Sequence, residues 1–316
     1  MNFNDELKRK TELVEQILKS YLPKEEGYWK LVVQAMNYSV TAGGKRLRPM
    51  LMMESAALFQ DVEGISAAEG VQEPHSFLQR TLPPFMAALE MIHNYSLVHD
   101  DLPAMDNDEY RRGRKTTHVV YGEGMAVLAG DGLLNYAFET ATQAFAGAQT
   151  VEEYGRTAHA MQILGRKAGI YGMIGGQCAD LEAERPDVEL TKDMLLYIHA
   201  HKTAALIQAA MTIGASLAGA DEQQIEALEK CAYNIGIAFQ IQDDILDVTG
   251  NAEVFGKPIG SDEKNNKLTY VTMHGLEASK KQVKELSGEA VGILSAYPVR
   301  NLFLEQLVEQ LIYREK

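Results

Sequence analysis

Helical periodicity is the feature that most constrains the fold of this chain. Apolar residues recur at the spacing of one helix face near both ends, as in Leu13, Val14, Ile17, Leu18 and Tyr21 and in Leu304, Leu307, Val308, Leu311 and Ile312. The alternation of apolar and polar residues that is typical of strands is hard to find, so no strands are expected. The pattern therefore predicts an all-α fold, with small-residue stretches such as 121–145 forming close contacts between helices.

Composition excludes several classes of protein. The chain has 316 residues, of which 46% are hydrophobic, so its core can be large without disulfide bridges. Its two cysteines, Cys178 and Cys231, have no motif spacing around them, which argues against a structural zinc site. The formal net charge of −14 argues against a nucleic-acid partner, because a phosphate backbone demands dense lysine and arginine.

The chain shows no targeting or linker segment. Charges interrupt the apolar residues of the N-terminus, and no uncharged run is long enough to span a bilayer. We therefore expect a cytoplasmic protein without a stable membrane anchor. Residues 60–84 are expected to form a long surface loop or a short-helix insertion. Residues 248–267 are expected to form a loop, which is functional by its length. Neither has the composition of an interdomain linker, so we expect one domain over residues 1–316.

A dense acidic and basic cluster follows an apolar helical run in "LVHDDLPAMDNDEYRRGRKTTH", residues 97–118. Asp100 and Asp106 would point apart on a regular helix, but Pro103 disfavours helical geometry at Leu102. A local unwinding there would bring the two carboxylates together. The alternative interpretation is a solvated acidic helix end.

A second acidic cluster lies in "FQIQDDILDVTG", residues 239–250, which has the pattern of an apolar helix. Asp243 and Asp247 are four positions apart and share a face, where like charges repel unless a cation lies between them. Oxygen-only ligands indicate a hard ion, Mg²⁺ or Mn²⁺, rather than zinc. Two such clusters on separate helices would hold one diphosphate through metal ions.

Basic residues supply the complementary charge. Lys45 and Arg48 in "GGKRLRP", residues 43–49, have a spacing that lets both hold one phosphate, and the arginine offers a bidentate fork. Lys202 and Thr203 lie within an apolar helical pattern. The alternatives are a basic surface turn for the first pair and a lysine that extends to solvent for Lys202.

Together these motifs resemble the trans-isoprenyl diphosphate synthases, and the bacterial farnesyl diphosphate synthase group most of all. The resemblance runs from Gly43 to about Tyr270 and comprises motifs in the expected order: "GGKRLRP", "HDDLPAMDNDEYRRG", "GGQCADL", "HKT", "FQIQDDILD" and "GKPIGSDEKNNKLTY". It implies the isoprenoid synthase fold, with about ten core helices around a central active-site cavity, and a homodimer.

The resemblance also implies a set of site residues. Asp100, Asp106 and Asp243 would bind three Mg²⁺ ions. Isopentenyl diphosphate would be bound by Gly44, Lys45, Arg48, His93 and Arg112. The allylic diphosphate would be bound by Arg111, Lys202, Lys257 and Lys267, with Thr203 and Gln240 at its reactive end and Gln177 and Asp180 in support.

Product length is expected to depend on Tyr95 and its neighbour Ser96. In the family that this chain resembles, the residue five before the first aspartate helps form the floor of the chain tunnel, and here it is Tyr95, roughly 7.5 Å deeper along a helix than Asp100. A bulky ring there predicts a C15 product, farnesyl diphosphate. The alternatives are a geranylgeranyl or longer-chain synthase, or a non-catalytic subunit of a heteromeric synthase.

Overall fold

The computed structural model describes residues 2–66, 76–249 and 269–313, which are almost entirely helical. The chain divides into two compact units. The first comprises Met1–Met53 and Asp61–Met161, and the second comprises Glu54–Gln60 and Gln162–Lys316. None of the described helices is long and apolar enough to cross a membrane. The helical content confirms the all-α fold class, whereas the expectation of a single domain stays a prediction.

The helices and strands of the described ranges follow one another along the chain. The elements up to α8 are α1 Phe3–Ser20, α2 Lys30–Val40, α3 Leu47–Ala56, α4 Phe77–Asp100, β1 Tyr110–Arg111, β2 Arg114–Lys115, α5 Thr117–Tyr121, α6 Glu123–Thr142, α7 Ala144–Gly147 and α8 Val151–Ala168. Those that follow are α9 Met173–Ala183, α10 Lys192–Ile198, a π-helical turn His199–Ala204, α11 Ala205–Leu217, α12 Glu222–Thr249, α13 Tyr270–His274, α14 Leu276–Ser295 and α15 Leu302–Ile312.

Helix α4 is the central element of the first unit, and it corrects the loop interpretation for residues 77–84, while residues 67–75 of that segment lie outside the described residues. It begins at Phe77 with a capping box between Ser76 and Gln79, and it continues through Pro83 and Pro84. Each proline removes one backbone donor, but the helix is buried over most of its length and packs along α6. Tertiary burial therefore outweighs the local cost of the prolines.

A short β-hairpin corrects the expectation that the chain has no strands. Tyr110 pairs with Lys115, and Arg111 pairs with Arg114. The two turn residues, Arg112 and Gly113, have φ angles of 54° and 74°, as a type I′ turn requires. An L-residue other than Asn or Asp rarely adopts this conformation, which is why the sequence did not reveal the hairpin.

The second unit is built around α12, which packs against α11 and α14. The apolar stripe predicted near the end of the chain lies in α15, where all five of its residues are buried. In α1, of the first unit, Val14, Ile17 and Leu18 are likewise buried. The helical periodicity thus identified core positions correctly in both units.

Candidate active site

The first aspartate motif begins where α4 ends. Leu102 accepts backbone hydrogen bonds from Met105 at 2.9 Å and from Asn107 at 3.1 Å, so the chain turns back after the helix. The backbone N–H of Asp106 donates to the carbonyl of Asp100 at 2.8 Å. Asp100 and Asp106 are therefore neighbours despite their separation in sequence, and the break in the helix is the one that the proline indicates.

Asp101 has a different role from its neighbour Asp100. It is buried, and its Oδ1 accepts from Arg111 Nε at 2.7 Å and lies 2.6 Å from Arg111 Nη2. Burial raises the pKa of Asp101 and Arg111 only partly offsets that effect, while the pKa of Arg111 is raised because Asp101 outweighs the cost of burial. Arg111, predicted to bind the allylic diphosphate, is thus engaged by Asp101 in this structure, and Asp108 lies 3.6 Å away.

The residues predicted to bind isopentenyl diphosphate gather in the first unit. Burial, reinforced by the positive charges of Arg48 and Arg112, lowers the pKa of His93 well below its usual value. His93 is therefore neutral, and it lies among cations that attract an anion. Lys45 is exposed beside this group.

Gly44 makes room for Arg112. A Cβ on Gly44 would lie 2.6 Å from Nη1 of Arg112, and the φ of Gly44 is +145°. Arg112 donates to the carbonyl of Gly43, so the hairpin turn and the glycine-rich motif are held together. The structure thereby joins two motifs that are far apart in sequence.

Sequence reasoning missed the role of Arg46. Its side chain is fully buried between the carboxylates of Glu15 and Glu90. A signal was present in "MAALEMIH", residues 86–93, because a lone acid in an apolar helix needs a buried cation. That residue is Glu90, one turn before His93 on α4.

Tyr95 lies on the buried side of α4. Its side chain is 5% exposed, and its ring packs edge-on against His99. Its hydroxyl is buried and has no hydrogen-bond partner within the described part of the chain. Burial, together with the charge of Asp100, raises the pKa of Tyr95 to about 12, so the hydroxyl is neutral. The next residue, Ser96, is half-buried and donates to the carbonyl of His93.

The second aspartate motif lies in α12 of the second unit, where its three aspartates differ in burial. The buried aspartate is Asp244, whose carboxylate accepts from the backbone N–H of Tyr270 at 2.7 Å. Asp243 and Asp247 are half-buried. Asp244 thus stabilises the start of α13, while Asp243 and Asp247 share the more accessible face, where a cation would relieve their repulsion.

Lys202 and Thr203 lie in the π-helical turn between α10 and α11, which the sequence did not predict. Lys202 Nζ is 2.6 Å from Oδ2 of Asp180, and Thr203 Oγ1 donates to Oε1 of Gln240 at 3.0 Å. Gln177 is half-buried on α9. The structure therefore brings together four residues that were predicted from three separate motifs, and π-helical turns often accompany functional sites.

Two glycines hold the π-helical turn closely. A Cβ on Gly176 of α9 would lie 2.1 Å from the backbone nitrogen of Lys202. A Cβ on Gly236 of α12 would lie 2.3 Å from Cβ of Ala204. Because no side chain fits at either position, these glycines allow α9 and α12 to approach closely the turn that carries Lys202 and Thr203.

The acidic residues suit a metal that the substrate helps to bind. In the described ranges, no three His, Cys, Asp or Glu side chains form a metal-binding group by themselves. Magnesium usually takes only one or two protein carboxylates and completes its shell with water and substrate phosphates. The donor sets around Asp100 and Asp243 match that chemistry. The predicted ligands Lys257 and Lys267 lie outside the described residues.

Comparisons with known proteins agree with the motifs. The farnesyl diphosphate synthase of Geobacillus stearothermophilus is 42% identical over 88% of this chain and 86% of its own. The geranylgeranyl diphosphate synthase of Cyanophora paradoxa is 42% identical over 92% of this chain and 89% of its own. The geranyltransferase of Helicobacter pylori, crystallised with magnesium and isoprenyl diphosphate, is 31% identical with a TM-score of 0.77 over 99% of this chain and 97% of its own.

A profile of the polyprenyl synthetase family matches residues 30–292. The match covers both aspartate motifs, the glycine-rich basic motif and the π-helical turn. Sequence and fold therefore lead to the same assignment: the chain belongs to the polyprenyl synthetase family and is a trans-prenyl diphosphate synthase.

Proposed function

We propose that the protein is a magnesium-dependent farnesyl diphosphate synthase. It condenses isopentenyl diphosphate head-to-tail with dimethylallyl or geranyl diphosphate, releases pyrophosphate and stops at C15. Family membership supports the reaction class, and the buried ring of Tyr95 is the observation that carries the C15 product. We propose that the enzyme acts as a single-domain, cytoplasmic homodimer, without nucleic-acid partner or membrane anchor.

We propose that Asp100, Asp106 and Asp243 bind the magnesium ions. The turn that places Asp106 against Asp100 and the accessible face of Asp243 support this assignment. The family uses magnesium, and the Helicobacter pylori relative was crystallised with it. Bound magnesium would neutralise the charge that develops on the leaving diphosphate.

The basic residues separate into two proposed substrate sets. Isopentenyl diphosphate takes the first unit's set of Gly44, Lys45, Arg48, His93 and Arg112. The allylic diphosphate takes Arg111, Lys202, Lys257 and Lys267. Lys202 must then exchange Asp180 for the diphosphate, at least in part, since the ammonium and the carboxylate are 2.6 Å apart in this structure.

The reaction begins when the allylic C1–O bond breaks and the electron pair leaves with the diphosphate. The C3–C4 double bond of isopentenyl diphosphate then attacks the allylic cation, and a new C–C bond forms. A proton leaves C2 to restore a double bond, with the released diphosphate as its acceptor. Lys202 and Arg111 stabilise the leaving anion, while Thr203 and Gln240 line the reactive end and help to exclude water.

A longer product is the second candidate. The Cyanophora paradoxa relative is a geranylgeranyl diphosphate synthase and is as identical to this chain as the farnesyl diphosphate synthase of Geobacillus stearothermophilus is. Against this, the bulky Tyr95 lies about 7.5 Å below Asp100 along α4 and should stop growth early. A non-catalytic subunit is disfavoured because both aspartate motifs are present.

The decisive assay is incubation with Mg²⁺, isopentenyl diphosphate and either dimethylallyl or geranyl diphosphate, followed by chromatography of the products. A C15 product that disappears on chelation supports the proposal. The absence of product with both allylic substrates would show that the catalytic proposal is wrong, and a C20 product would reject only the chain-length part.

Tyr95→Ala tests the floor directly. We expect products longer than C15, because removal of the ring opens space beneath the growing chain. Tyr95→Phe is the matched control, since it keeps the ring and removes a hydroxyl that has no described partner. An unchanged product from Tyr95→Ala would rule out this residue as the floor.

A further inference from the structure

We infer that Arg46 is a positioning residue for the isopentenyl diphosphate site, and this inference rests on the proposed function. Arg46 lies between Lys45 and Arg48 in the same motif but points into the protein instead of towards solvent. It therefore does not contact substrate itself. It holds the backbone from which the two substrate-binding residues extend.

The backbone at Arg46 is unusual. Its φ is 49°, a left-handed conformation that non-glycine residues rarely adopt and that persists only where the surroundings enforce it. This conformation turns the side chain inward while Lys45 stays exposed on one side and Arg48 half-buried on the other. A residue that relaxed to an ordinary conformation would redirect both of its neighbours.

The side chain of Arg46 is tied to three different helices. Nε donates to Glu15 of α1 at 2.7 Å, Nη1 to Glu90 of α4 at 2.9 Å, and Nη2 to the carbonyl of Val40 in α2 at 2.6 Å. Burial by itself lowers the pKa of Arg46, but the two carboxylates outweigh it, so the group stays charged. Only the planar fork of an arginine reaches three acceptors in this geometry, and a lysine cannot replace it.

The contact with Glu90 links Arg46 to the rest of the site. Glu90 is three residues before His93 on α4, and its charge also acts on Arg48 and Arg112, whose pKa values burial lowers and Glu90 partly restores. One carboxylate thus stabilises a group of arginines that would otherwise repel one another.

Arg48 carries a second indication that a ligand is expected here. Its Nε is buried without a hydrogen-bond partner in the described part of the chain, and so is Oε2 of Glu90. Unsatisfied buried donors are costly and rare in proteins. A diphosphate oxygen would satisfy the Arg48 donor, provided that Arg46 keeps the loop at its present position.

Arg46→Lys tests the inference. It keeps the positive charge but loses the three-way fork, so we expect the KM for isopentenyl diphosphate to rise about tenfold or more, as loss of a charged hydrogen bond does. The KM for geranyl diphosphate should stay within about twofold, because its proposed ligands lie elsewhere. Arg80→Lys is the matched control, because Arg80 lies on α4, is half-buried and donates to the carbonyl of Gly147 away from the site.

Glu15→Gln provides a milder variant if Arg46→Lys does not fold. It keeps an acceptor for Arg46 and removes one charge from a partly exposed position. We expect the KM for isopentenyl diphosphate to rise selectively by about two- to threefold, because Arg46 then pairs with a neutral acceptor instead of the Glu15 carboxylate. Equal changes for both substrates, or a loss of kcat alone, would overturn the positioning role. An inactive wild-type enzyme would instead overturn the proposed function, and calorimetry with isopentenyl diphosphate would still report whether Arg46→Lys weakens binding.

Discussion

The two units hold their proposed functional residues by different means. In the first unit, these residues lie on α3, on α4, and on the loops and hairpin turn beside them, where ion pairs hold side chains and where Arg46, Asn107 and Arg112 have positive φ angles. In the second unit, Lys202 and Thr203 lie within continuous helical structure. Close packing against glycines of two neighbouring helices holds them in place there.

Because the residues are held differently, we expect the two units to respond differently to substitution. An electrostatic arrangement fails when a charge or a fork is removed, because the remaining buried charges lose their partners. A packing arrangement fails when volume is added, because protein interiors are dense and deform little. Substitutions that preserve either charge or volume can therefore distinguish the electrostatic arrangement from the packing arrangement.

The largest effect should distinguish adjacent aspartates within one motif. We expect Asp243→Ala to lower kcat on the order of a thousandfold, because it removes a proposed ligand of the ions that stabilise the leaving group. Asp244→Ala should instead mainly lower the melting temperature, since Asp244 is buried and binds the N–H of Tyr270. Steady-state rates and thermal melts of both variants measure the contrast.

The same contrast is expected in the first unit between Asp100 and Asp101. Asp100→Ala should abolish most activity with little change in stability. Asp101→Ala should destabilise the fold by about 1–3 kcal/mol, because it leaves the buried contacts of Arg111 unmade. If the structural aspartate of either pair proved as important for kcat as its neighbour, the assignment of ligands would be wrong.

A methyl group added at a glycine of either unit should raise the KM for one substrate about tenfold more than the KM for the other. Gly44→Ala places a methyl group 2.6 Å from the Arg112 guanidinium, so it should raise the KM for isopentenyl diphosphate. Gly236→Ala places one 2.3 Å from Cβ of Ala204, so it should shift the turn that carries Lys202 and raise the KM for the allylic diphosphate. Kinetics with each substrate varied in turn measure both constants.

Gly288→Ala is the control for these substitutions. Gly288 is exposed on α14 and has open space around a Cβ, so alanine should stabilise the helix by roughly 0.5–1 kcal/mol without kinetic effect. A crossed result, in which Gly236→Ala affected mainly isopentenyl diphosphate, would contradict the division of the site into two sets.

Helix content and core were the parts of the fold that could be predicted from sequence. Periodicity reports which face of a helix is buried, and α1 and α15 follow it closely. The hairpin was missed because its turn uses an arginine where asparagine is usual, and the start of α4 was missed because its prolines suggested a loop. In both cases tertiary contacts outweighed local preference.

The candidate site was predictable where chemistry alone demanded the residue. Asp100 with Asp106 and Asp243 with Asp247 stood out because neighbouring carboxylates need a cation, and the family resemblance then implied Asp100, Asp106 and Asp243 as the ligands. The roles of Arg46 and Gly236 were not, because each depends on a neighbour that is distant in sequence and visible only in three dimensions. Supporting residues leave a weaker trace in a sequence than the residues that they support.

The last predicted effect concerns stability in acid. Burial lowers the pKa of His199 to about 4, although Asp180 opposes the shift. Below pH 6.5 the unfolded chain therefore binds a proton at His199, whereas the folded chain does not. The contribution of this histidine to folding stability is complete above pH 6.5 and is lost as the pH falls towards 4. Between pH 7 and pH 5 we expect the protonation of His199 in the unfolded chain to lower the free energy of unfolding by about 2 kcal/mol.

His199→Gln should reduce the change in the free energy of unfolding between pH 7 and pH 5 by that amount, and the substitution of the exposed His159 by Gln serves as the control. If the free energy of unfolding of His199→Gln depended on pH as that of the wild type does, solvent would reach this histidine in the π-helical turn. The packing around the turn would then be looser than the glycines of the second unit indicate.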